Sequence, residues 1–215
     1  MKFMVISDIH GNRSVLDWIN PMIAEERVDY VLFLGEAVEM PYEAERSAEM
    51  ISLIGGERKL AIPGNIDSPG LVDLLDTVAE NMHGKGKDLG DVYIAGLGGS
   101  NPTIFDTPFE LQEEDILAKL DPVSKDGMVL MVHAPAYGFN DMIPSGLNVG
   151  SKAILDIVKK YRPRLVLSGH IHEAFGRMDA DGTVFINPGA AKDGRCAIVT
   201  IEGDDVEVSF KGPSE

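Results

Sequence analysis

The chain has 215 residues, 44% of them hydrophobic, which fills one core and falls within the size of a single α/β domain. With 19 Lys plus Arg against 35 Asp plus Glu the formal charge is −16, a surface that repels nucleic-acid backbones and anionic membranes and argues against a polymer-binding role. A lone cysteine, Cys196, permits no disulfide within the chain. No apolar run approaches the roughly 18 residues of a membrane span and no leader pattern opens the sequence, so a cytoplasmic protein is expected.

The elements follow in chain order. Residues 3–7 form an apolar run that stops at Asp8 and predicts a first strand. Asn12 or Ser14 is placed to cap a helix reaching Glu26. A second run, 28–34, ends at Gly35, and the helical spacing of 43–54 stops at Gly55-Gly56. A third strand, 60–63, ends at Gly64-Asn65, and 71–79 again has helical spacing. A strand at 92–97 leads into Gly98-Gly99, and a helix is predicted over 110–120. The run 128–132 ends at His133. A helix over 151–161 places Ile154, Leu155 and Val158 on one face, and Pro163 ends it. Strands at 165–168 and 183–186 end at Gly169-His170 and at Asn187-Pro188-Gly189. Residues 196–201 and 206–210 read as a closing hairpin turned by Gly203-Asp204. This alternation implies partly parallel sheets covered by helices. Two irregular stretches, 98–108 and 134–150, are long enough to suggest function.

Polar residues of one kind gather at the strand ends. Asp8 and His10 follow the first strand, Glu36 the second, and Asn65 and Asp67 the third. His133, and then His170 with His172, follow later strands. Four of the five histidines therefore stand just past an apolar run. In an open α/β sheet such ends share one crevice. Imidazoles and carboxylates together suit divalent Mn, Fe, Ni, Co or Zn, with Mg the poorer fit. Two such ions about 3.5–4 Å apart clamp the attacking and leaving oxygens of a displacement at phosphorus and activate water at neutral pH.

Asp8-Ile9-His10, Gly35-Glu36, Gly64-Asn65, His133 and Gly169-His170-Ile171-His172 together resemble the calcineurin-like metallophosphoesterases in order and spacing, from Phe3 to about Gly189. Gly98-Gly99-Ser100-Asn101-Pro102-Thr103, Val149-Gly150-Ser151-Lys152, Gly169-His170-Ile171-His172-Glu173 and Asn187-Pro188-Gly189 resemble a narrower group of small, mainly archaeal, Icc-related phosphoesterases. The resemblance implies a four-layer α/β/β/α sandwich: two mixed sheets flanked by helices, forming a single metallophosphoesterase domain over 1–215. It implies two divalent metal ions, one held by Asp8, His10 and His172 and the other by Asn65, His133 and His170, with Glu36 bridging. Asn12 would face the phosphate. Two positions depart from the family. Glu36 stands where Asp is usual, and Ile66 stands where many members carry a His that protonates the leaving group.

Each residue also has a plainer reading. Asn12 is placed to cap a helix, and Asp67 is read equally as a hydrogen-bond support for a metal ligand or as a direct participant. His83, in the turn-like His83-Gly84-Lys85-Gly86, is read as non-catalytic. Cys196 is read as buried and inert. Arg13, Tyr137 and Asn140 are candidate substrate contacts on no ground but loop position. The function expected is hydrolysis of a small phosphate ester by metal-activated water. A phosphodiester is preferred, with nucleotides among the candidates, because no Arg/Lys cluster adjoins the motifs to hold a monoester dianion. The alternatives are a phosphomonoesterase, a phosphoprotein phosphatase, or a catalytically weak metal-binding scaffold like the retromer subunit of this fold. A homodimer is a family-level expectation.

Overall fold

The computed structural model describes residues 1–39 and 43–213. Among these, the strands in chain order are β1 (Lys2–Ile6), β2 (Tyr30–Phe33), β3 (Lys59–Ala61), β4 (Glu80–Asn81), β5 (Lys85–Asp88), β6 (Tyr93–Leu97), β7 (Val129–Val132), β8 (Leu165–Leu167), β9 (Gly176–Ala180), β10 (Thr183–Asn187), β11 (Cys196–Glu202) and β12 (Asp205–Lys211). The α-helices are α1 (Leu16–Glu26), α2 (Ala44–Leu53), α3 (Leu71–Leu74), α4 (Glu113–Leu120) and α5 (Lys152–Tyr161). The strands form two six-stranded sheets, ordered β12-β11-β1-β2-β3-β4 and β5-β6-β7-β8-β10-β9. In the first, β1 to β4 run parallel and the β11–β12 hairpin joins antiparallel. In the second, β6, β7, β8 and β10 run parallel between antiparallel edges β5 and β9.

The alternation of side chains along each strand builds the layers. Phe3, Val5, Leu32, Leu60 and Ile62 of the first sheet meet Ile94, Val129, Met131, Leu165 and Leu167 of the second in a central core. Met4, Ile6, Val31 and Phe33 point the other way, against Ile19 and Ile23 of α1 and Met50 and Ile51 of α2. Leu130, Val132 and Val166 pack likewise on Ile116 and Leu120 of α4 and Ile154 and Ile157 of α5. The result is the expected α/β/β/α sandwich. A strand buried on both faces carries an unbroken apolar run, which is why Phe3 to Ile6 were legible as a strand.

Three strands were not expected from the sequence. β4 is two residues long, and β5 (Lys-Gly-Lys-Asp) and β9 (Gly-Arg-Met-Asp-Ala) are polar edges that pack one face at most. Lys85 and Gly86 belong to β5 rather than to a turn. The expected helix over 71–79 ends as α3 at Leu74 and tightens into a 3-10 turn, Leu75–Thr77. The helix expected from 110 begins at Glu113, because Glu110 is engaged with the preceding loop. No helix among the described residues is long and apolar enough to cross a membrane.

Candidate metal centre

Parallel β1, β2 and β3 end together, as do β7 and β8 of the other sheet, and backbone hydrogen bonds tie the following loops to one another. Asp8 N donates to Gly35 O (3.0 Å), His10 N to Glu36 O (3.0 Å) and Gly169 N to His133 O (3.0 Å). At these ends the chain turns through the left-handed region at residues that are not glycine: Asp8 (φ 58°), His10 (φ 49°), Glu36 (φ 61°) and His170 (φ 66°). Each such residue costs on the order of 1–3 kcal/mol. Four together, all of metal-ligating type, mark a place where side-chain chemistry outweighs backbone comfort.

Glycines make the close approach possible. A Cβ on Gly64 would stand 2.3 Å from Glu36 Cγ and 2.9 Å from His133 Cε1. One on Gly169 would stand 2.0 Å from Ser7 Oγ and 2.8 Å from Asp8 Oδ2. The extra methylene of Glu36, relative to the family's usual Asp, therefore passes over a position that carries no side chain.

The seven residues singled out as ligands converge as two overlapping clusters. Asp8, His10, Glu36 and His172 form the outer one, and Glu36, His133 and His170 the inner one; within each, the potential ligand atoms lie within 4.8 Å of one another. Glu36 belongs to both: Oε2 lies 2.8 Å from His10 Nε2, and Oε1 lies 3.5 Å from His133 Nε2. Asn65 Oδ1 joins the inner cluster, 2.9 Å from His133 Nε2. His133 Nδ1 donates to Leu34 O (2.8 Å), which leaves Nε2 as the ring nitrogen that faces the centre, free to coordinate once its proton is displaced. Asp8 Oδ2 accepts from His170 N (3.3 Å), while Oδ1 is buried, lacks a hydrogen bond among the described residues and lies 3.3 Å from His172 Nε2. An orphaned carboxylate oxygen amid imidazoles and a second carboxylate is the donor set that divalent transition ions favour.

The electrostatics agree. Burial disfavours the charge of Glu36, but hydrogen bonds from His10 and His133 outweigh it and hold the carboxyl well below the usual range. Burial likewise opposes protonation of His133, yet the Glu36 carboxylate pushes it up to about 9. His170 is pushed down to about 4 by burial and by the charge of His133, so it is neutral at physiological pH. His172 is raised, Asp8 outweighing its burial.

Supporting residues surround the clusters. Buried Asp67 accepts from Glu36 N and Gly64 N (both 2.8 Å) and from Ser47 Oγ (2.9 Å), fixing the two loops that carry Glu36 and Asn65. Asn187 Nδ2 donates to Ile171 O (2.8 Å), steadying the loop of His170 and His172. Asn65 Nδ2 donates to Thr107 Oγ1 (3.0 Å). Sequence reasoning flagged Asp67 and Asn187 but missed Ser47 and Thr107, whose partners are distant in sequence; the length of the 98–108 stretch was the one available signal.

Asn12 caps the turn before α1, its carbonyl accepting from Ser14 N and Oγ (3.2 and 2.7 Å). Arg13 pairs with Glu49 of α2, both side chains largely exposed. Asn140 instead ties the 134–150 loop to Ala174 O (2.9 Å). His83 lies outside the clusters: Nδ1 accepts from Gly98 N (3.2 Å), and burial with the charge of Lys119 pushes the ring down to about 4. Cys196 is buried and its thiol is pushed up to about 12.

The family model for the calcineurin-like phosphoesterase superfamily domain matches residues 1–203. The chain is 30% identical over 197 residues to the uncharacterised protein MJ1162 of Methanocaldococcus jannaschii, spanning 87% of this chain and 88% of the relative. The chain belongs to the calcineurin-like phosphoesterase superfamily. The fold is also similar to that of TT1561 from Thermus thermophilus (TM-score 0.75, 14% identity, 97% of each chain covered). A protein described as a novel archaeal phosphodiesterase has a TM-score of 0.59 at 14% identity, with 98% of this chain and 99% of the neighbour covered. Membership of this superfamily, with a cluster of potential metal ligands in place, supports a metal-dependent phosphoesterase.

Proposed function

We propose that the chain is a dinuclear metal-dependent phosphodiesterase acting on a small phosphate ester, the whole chain serving as one metallophosphoesterase domain. Asp8, His10 and His172 would hold one ion, Asn65, His133 and His170 the other, and Glu36 would be shared. The observation that carries this reading is the division of the Glu36 carboxylate, one oxygen toward His10 and the other toward His133. When bound, the two ions supply Lewis acidity at the phosphoryl group and a water activated at neutral pH. The chain orients them: Leu34 O fixes the His133 ring, and Asp67 fixes the backbone of Glu36.

A diester fits the charges. Arg13 is paired with Glu49 and Arg177 with Asp179 on the surface, and among the described residues Lys192 is the one cation whose charge reaches the ligand His172, so no cationic cluster is assembled there for a monoester dianion. Ile66 has no proton to give, which favours esters whose leaving group departs unassisted. The archaeal neighbour described as a phosphodiesterase is consistent with this choice. Asn12, two residues after His10 in the chain, is the candidate phosphate contact through its amide nitrogen, since its amide oxygen is taken by Ser14. A cytoplasmic setting suits the one buried cysteine.

The test is hydrolysis of an aryl phosphodiester and of the matching monoester after metal stripping and re-addition of Mn, Ni, Co, Zn or Mg singly. Turnover is expected to return with a transition metal, to be faster on the diester and to vanish in His133→Ala. A folded protein that binds metal but turns over neither substrate would instead be a scaffold.

A further inference from the structure

Among the expected ligands, Asn65 is the one whose two side-chain ends are chemical opposites: Oδ1 can coordinate a cation and Nδ2 cannot. Which end faces the centre depends on what the other end meets. Asn65 Nδ2 lies 3.0 Å from Thr107 Oγ1, and Thr107 Oγ1 lies 2.7 Å from Glu110 Oε1. Glu110 also accepts from Thr103 N (3.0 Å), Thr103 Oγ1 (2.6 Å) and Thr107 N (2.8 Å). A carboxylate met by four donors is acceptor-only. Burial opposes its ionisation, but the bonds from Thr103 and Thr107 hold it at about 2.

The single hydroxyl proton of Thr107 therefore goes to Glu110, and its lone pairs face Asn65. Asn65 must answer with N–H, because a reversed amide would set oxygen against oxygen with no proton between them. The same loop holds the backbone of this residue, Phe109 N donating to Asn65 O (2.9 Å). We propose that Thr107 and Glu110 are positioning residues of the inner half, a hydrogen-bond chain that turns Asn65 Oδ1 toward the cation and sets that half's affinity for metal. The proposal rests on the two-ion reading above. The 98–108 loop then has a role in the centre, because it carries, from outside the strand ends, the partner that fixes the direction of the inner amide.

The test is titration of the metal-stripped protein with Co2+ alone, followed by visible absorbance. Wild type is expected to take up two ions per chain. Thr107→Val keeps the shape and removes the hydroxyl; it should weaken one of the two ions by about 10–100-fold and leave the other unchanged. Thr107→Ser should restore both. Thr107→Ala reads the same loss without the branched side chain, should the valine variant not fold. Wild-type affinity at both sites in the valine or alanine variant overturns the proposal, as does a serine variant as impaired as valine, which would make Thr107 a packing residue. A wild-type chain that takes up fewer than two ions overturns the two-ion reading and this proposal with it.

Discussion

The two halves of the centre are built differently. The outer half rests on His10 and His172, whose side chains keep 11% and 26% of their exposure and which hold each other and the carboxylates of Glu36 and Asp8. The inner half rests on fully buried His133, with its ring fixed by Leu34 O, and on Asn65, with its amide fixed by Thr107. The inner half is therefore set in place by partners outside the ligand set, while the rings of the outer half meet chiefly the other ligands. Preorganised ligands bind tighter, so the inner ion should be the slower to leave.

The strongest way to break this comparison is to remove its best-held member. His133→Ala should reduce turnover to background and abolish uptake of the inner ion, with circular dichroism reporting an intact fold. His172→Ala should abolish turnover while one tightly held ion remains, as metal analysis after desalting would show. Full activity in both variants would mean the site is misassigned.

Two glycines divide the halves at the next level. Gly169→Ala would press on Ser7 and Asp8 and should impair the outer half, whereas Gly64→Ala would press on Glu36 and His133 and should impair both. Each should also lower stability by about 1–3 kcal/mol, measured by urea unfolding of the metal-free protein.

Acidity sharpens the contrast further. The pKa of His133 in the folded, metal-free protein, about 9, lies above its ordinary 6.5. Its contribution to stability is therefore full below about pH 6.5 and is lost as pH rises through about 9. The metal-free protein should accordingly melt at a lower temperature at the alkaline end of this window on account of this group. An ion that replaces the proton should remove that contribution, and inner-ion binding between about pH 6.5 and 9 should release a proton, visible as a buffer-dependent binding enthalpy. His170, pushed down to about 4, adds no such release in this range.

The smallest effect is expected for Glu36→Asp. The shortened carboxylate is the family's usual bridge, and activity should be retained or raised. A complete loss would mean that the reach over Gly64 is required.

How much of this was legible in the sequence follows from range and burial. Strands buried on both faces announce themselves as apolar runs, and the ligands stand where those runs stop, so Asp8, Glu36, Asn65, His133 and His170 could be found from local pattern. Edge strands β5 and β9 could not, because Lys85, Lys87, Arg177 and Asp179 give them the composition of loops. The left-handed backbone of Asp8, His10, Glu36 and His170 leaves no trace in residue type, since glycine would be the ordinary choice there. Ser47 and Thr107 act across 20 and 42 residues of chain, through hydrogen bonds that only the packed layers create.

The most direct measurement is anomalous diffraction from crystals soaked in Mn2+. Two peaks about 3.5–4 Å apart, with Glu36 between them, are predicted, one beside His10 and His172 and the other beside His133, His170 and Asn65. A single peak, or a pair that Glu36 does not join, would contradict the shared-carboxylate centre.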